Sequence, residues 1–129
     1  MEANPQGLSI PPAVDHLAGE VLHSVCELEV ALLARTWPER VWGAASVRDH
    51  LKIGSAQAQE ALERLTAIGL MESVGGGYRY RPKSPEVSEA LNALAALYRS
   101  HRLTILRLVF SRSKGKVSYF GQALPRDKR

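Results

Sequence analysis

Residues 44–81, AASVRDHLKIGSAQAQEALERLTAIGLMESVGGGYRYR, decide the fold. Val47 and Leu51 lie about one helical turn apart, as on the inner face of a short helix over 44–51. Lys52-Ile53-Gly54 reads as a tight turn whose glycine permits a left-handed backbone, and Ser55 reads as the cap of the next helix. In that helix, 56–68, Ala58, Ala61, Leu62 and Leu65 recur at helical spacing, and Gly69 supplies a left-handed stop before Leu70. Two short helices joined by a glycine-bearing turn make a helix-turn-helix. A hairpin follows, with strands over 70–74 and 78–81 around Gly75-Gly76-Gly77. Alternation puts Tyr78 and Tyr80 on one face, expected inward, and Arg79 and Arg81 on the other.

Upstream, Val14, Leu17, Val21, Val25, Leu28 and Leu32 follow helical spacing over 14–35, as one core helix or two. Trp37-Pro38 stops it, because proline lacks an amide proton and disfavours helix in the residue before it. Val41-Trp42 reads as a short extended piece with Trp42 as a core anchor, and Gly43 stands as a weaker helix cap. Downstream, Ser84-Pro85 opens a helix, and one apolar stripe, Val87, Leu91, Leu94, Tyr98, Ile105 and Val109, carries it to about Arg112. The stripe is broken at residues 99–102, where a kink or an exit from the core is expected.

A chain of 129 residues with 45% hydrophobic content suits one domain. Residues 1–12, rich in proline and poor in charge, read as a flexible leader without the basic start and apolar centre of a secretory signal. Charge interrupts every apolar stretch well short of a membrane span. The expected setting is therefore cytoplasmic. The single cysteine, Cys26, excludes an intramolecular disulfide and reads as a core residue, while His16, His23, His50 and His101 show no metal-ligand spacing. Neither a metal nor a cofactor is expected. No nucleophile stands with a plausible base, and no phosphate-binding glycine loop precedes a helix, so an enzyme is not expected. The net charge of +4 conceals an asymmetry. From Arg99 onward nine basic residues face one acid, Asp127, so that segment is net +8 and the first 98 residues are net −4. An acidic partner would feel the strongest field at the C-terminal end.

The order helix, extended piece with Trp42, helix, turn, helix, glycine-tipped hairpin, helix resembles the winged helix-turn-helix superfamily, and small bacterial transcription-regulator-like proteins within it. The resemblance rests on Leu51, Ser55, the pattern Ala61-Leu62-x-x-Leu65-x-x-x-Gly69-Leu70, and Gly75-Gly76-Gly77-Tyr78-Arg79-Tyr80. It implies a mostly α architecture with a small β-hairpin wing (α+β) over 13–83. A long C-terminal helix, 84–112, and a basic tail, 113–129, for which disorder is the default expectation, would be added to it. It also implies that the helix after the turn enters the major groove of double-stranded DNA while the wing touches the backbone.

Ser55, Ala56, Gln57, Gln59 and Glu60 are then the groove-facing candidates, and Arg79 and Arg81 the wing contacts. Gln57 and Gln59 suit adenine edges, although a solvated helix face explains them equally. Glu60 and Glu63 against Arg64 make this helix net −1, where phosphate would favour the opposite sign. A winged-helix adaptor for a protein partner is thus the alternative to a DNA-binding regulator. The surplus of apolar residues in the C-terminal helix is expected to pair two copies as a homodimer.

Overall fold

The structure, a computed structural model, describes residues 10–118, with side chains described to Phe110. The chain is mostly helical with a small antiparallel sheet, an α+β arrangement. Helix α1 (Pro12–His16) runs into a π-helical segment (Leu17–Val21), followed by α2 (Val25–Thr36), β1 (Val41–Trp42), α3 (Ala44–Leu51) and α4 (Ser55–Ala67). Then come β2 (Met71–Val74), β3 (Gly77–Tyr80), α5 (Pro85–Ser100) and α6 (Arg102–Ser118). No helix among the described residues is long and apolar enough to cross a membrane.

The segment expected over 14–35 is two helical pieces. Leu22 and Ser24 are extended, and the Ser24 hydroxyl accepts from Glu27 N at 3.1 Å, so a well-placed cap restarts the helix. At the next turn the structure corrects two expectations. Lys52 is the left-handed residue (φ 59°), whereas Gly54 is extended and is itself the cap of α4. Ser55 is therefore the first helical residue, and the Gln57 side chain closes the cap by accepting from Gly54 N at 3.2 Å. Gly69 has the expected positive φ of 90°, and any β-carbon there would run into the Lys83 side chain packed across it.

The sheet order is β1-β3-β2. Gly75 and Gly76 both have positive φ and form a two-residue turn, which places Glu72 opposite Arg79 and Ser73 opposite Tyr78. Gly77 belongs to β3 instead, and a β-carbon on it would meet Val41 Cγ1 and Trp42 O. Trp42, opposite Tyr78, is buried in the core, while Val41, opposite Arg79, is exposed.

Leu62 and Leu65 of α4 share one core with Leu28 of α2, Val47 of α3, and Leu91 and Leu94 of α5. The helix expected over 85–112 is broken at His101 (φ −136°, ψ 57°), and α6 folds back against the π-helical segment. Ile105 and Val109 are consequently fully buried within the same chain. Most of the apolar surplus that suggested a homodimer is used internally; Leu103 (67% exposed) and Phe110 (59%) remain outside. The elbow is held by Glu29 of α2, which accepts from Tyr98 Oη at 2.5 Å and lies 3.5 Å from Arg102. α6 overlaps the start of the expected tail; residues 1–9 of the leader and 119–129 of the tail lie outside the described residues.

Candidate nucleic-acid interface

Helix α4 buries Ala58, Ala61, Leu62 and Leu65. At about 100° per residue, the line farthest from that face runs through Ala56, Glu60 and Glu63, all exposed. The sequence candidates separate accordingly. Ala56 and Glu60 face outward, and Gln57 is exposed although its side-chain oxygen is engaged in the helix cap. Ser55 Oγ accepts from Arg48 Nη1 at 3.2 Å, which draws the end of α3 to the start of α4. Gln59 does not project freely: its Nε2 donates to Glu63 Oε2 at 2.7 Å and to Tyr78 Oη at 3.1 Å, tying α4 to the hairpin.

The hairpin presents Arg79 on the expected outer face, with Arg81 just beyond β3 on the same side. Both meet Glu72. Arg79 Nη2 donates to Glu72 Oε2 at 2.7 Å, and Arg81 Nη1 lies 4.0 Å from the same oxygen. Two cations share one carboxylate, so this patch is net +1. Arg81 is the freer of the two, its side chain 70% exposed.

Charges that the sequence left unassigned complete the picture. Arg64, counted there as an offset to the acids of α4, is turned inward: Nε lies 3.2 Å from Glu27 Oε2 and Nη2 donates to Val21 O at 2.7 Å. The outer line of α4 is therefore more acidic than a residue count suggests. Exposed Arg48 and Lys52 instead put positive charge at the start of α4, although Asp49 sits 3.1 Å from Arg48. Lys52 sits there because it occupies the left-handed turn position, for which a lysine gives no signal in sequence.

On the side of α4 facing α2, Glu60 and Gln57 border a cavity of about 240 Å³ with Ser24 and Cys26. Cys26 is half-buried and its thiol lies 3.9 Å from Gln57 O, to which it can donate. Burial, reinforced by Glu27, Glu29 and Glu60, pushes its pKa up, which keeps it protonated and a poor nucleophile. Among the described residues no group of three potential metal ligands comes together. Comparison with family models, with curated proteins and with solved structures returned no match to this chain.

Proposed function

We propose that the chain is a winged helix-turn-helix DNA-binding module of the transcriptional-regulator kind. The observation that carries this reading is the placement of α4: one face is packed against α2, α3 and β2, its outer line through Ala56, Glu60 and Glu63 is exposed, and Gln59 ties it to a hairpin that presents Arg79 and Arg81. The sheet order β1-β3-β2, with α3 and α4 inserted between β1 and β2, supports it. In this reading Arg48, Lys52 and Arg81 meet phosphates and supply affinity, and Gln57 supplies selectivity. Glu60 and Glu63 then act against phosphate. Replacing both with glutamine should tighten binding to random duplex DNA several-fold, and the wild-type log affinity should fall steeply with log salt. Duplex binding that is absent at physiological ionic strength in both proteins would overturn the proposal.

A second reading, a protein-interaction adaptor, is favoured by those same acids and by the Arg79–Glu72 pair, which leaves the exposed module face close to neutral. It gives no DNA binding through α4 or the hairpin, any residual salt-dependent binding coming from the basic C-terminal segment, and Glu60→Gln with Glu63→Gln would then weaken capture of a basic partner. A homodimer, under either reading, would rest on Leu103 and Phe110.

A further inference from the structure

A cavity of about 310 Å³ opens on the side of the molecule where three parts of the chain meet: α1 with the π-helical segment that continues it, the end of α4 with the residue leading into β2, and the stretch from Lys83 into the start of α5. Its walls are apolar, with Leu17 and Val21 from the first part and Ile68 and Leu70 from the second. Two opposite charges stand among its lining residues, Lys83 and Glu86, both exposed. Neither forms an ion pair with the other or with another described residue. Lys83 is also held in place: its aliphatic stem lies across Gly69, and its backbone N donates to Gly69 O at 2.8 Å. The remaining titratable lining residue, His16, sits 3.8 Å from Glu20, with which it pairs only when protonated.

From this arrangement we infer that the cavity binds a small zwitterion with an apolar body, that is, a free α-amino acid with an aliphatic or aromatic side chain. The volume lies at the lower end of the range for small-molecule sites, roughly 300–1,000 Å³, which favours a ligand of about ten heavy atoms. An apolar body takes the walls, its carboxylate meets the Lys83 ammonium, and its ammonium meets the Glu86 carboxylate. A purely anionic ligand would attract Lys83 but be repelled by Glu86, and a purely cationic one the reverse; a zwitterion is complementary to both. The inference does not depend on DNA binding.

The test is an amide NMR titration of the full chain with L-leucine and L-phenylalanine, beside 4-methylpentanoate (carboxylate alone) and isoamylamine (ammonium alone). Saturable binding in the micromolar to millimolar range is expected for a ligand of this size, with shifts centred on Ile68, Val87 and Ala90. The two singly charged analogues should bind at least about tenfold more weakly, and so should either amino acid to Lys83→Met or Glu86→Gln. Both substitutions fall on exposed side chains and should leave the fold intact. No saturable binding of either amino acid would overturn the inference. So would equal binding by a singly charged analogue, binding indifferent to both variants, or shifts centred elsewhere.

Discussion

At the residue scale, the most consequential side chain is Arg64, which joins α4 to both Glu27 of α2 and the carbonyl of Val21 at the end of the π-helical segment. Glu27 is held on its other oxygen by His23 N at 2.9 Å, and its side chain is only 10% exposed. Arg64→Met leaves that carboxylate buried without its cation and should cost about 1–3 kcal/mol in urea denaturation. An unchanged midpoint would show that water replaces the guanidinium without loss. Tyr98 offers a pH-dependent check. Burial, together with the hydrogen bond and negative charge of Glu29, pushes its pKa up to about 12, against the ordinary value of 10. Between those values the folded state holds a proton that the unfolded chain has released, so stability falls as pH rises from about 10 to about 12. Tyr98→Phe lacks this decline. It should be less stable than wild type by about 1–3 kcal/mol at neutral pH, from loss of the bond to Glu29, and the gap should narrow through that alkaline window. A constant gap would place the alkaline sensitivity elsewhere.

At the element scale, what was legible in the sequence and what was not divides along physical lines. Periodicity located the inner face of α4, because Ala58, Ala61, Leu62 and Leu65 report burial directly. Leu65→Ala should accordingly cost roughly 2–5 kcal/mol; a melting curve left unmoved would mean the buried face is misassigned. Sequence places the cap one residue late because Gly54 and Ser55 both suit a cap; Gln57, whose side chain reaches back to Gly54 N, decides for Gly54. Alternation places Arg79 and Arg81 on the correct face of the hairpin but does not reveal their neutralising partner. Glu72 stands opposite Arg79 through strand register, fixed by the Gly75-Gly76 turn, and register is a tertiary fact that alternation alone does not encode. The run Gly75-Gly76-Gly77 makes Gly77 read as part of the turn, but its requirement is close approach to β1. Gly77→Ala should destabilise by more than about 1 kcal/mol, whereas Gly75 has open space and its cost is limited to backbone strain. Equal melting temperatures for Gly77→Ala and wild type would show that β1 gives way freely.

At the scale of the whole molecule, charge is distributed so that α4 is acidic outside, while cations gather at its start, on the hairpin and, in the sequence, from Arg99 onward. The break at His101 was visible only as an interruption, Arg99-Ser100-His101-Arg102, in an otherwise continuous stripe. The return of α6 to the π-helical segment buries Ile105 and Val109 and brings Glu29 to Tyr98 and Arg102, contacts across a long sequence separation. The DNA-binding proposal is tested most directly by a salt titration of random duplex DNA with wild type, with Arg79→Ala plus Arg81→Ala, and with the chain shortened after Arg112. Arg79 is already paired with Glu72, so the double variant should lower the slope of log affinity against log salt by about 1 rather than 2, and weaken all sequences alike. An unchanged slope in the double variant, with binding abolished by truncation alone, would contradict a wing on DNA and leave the adaptor reading in its place.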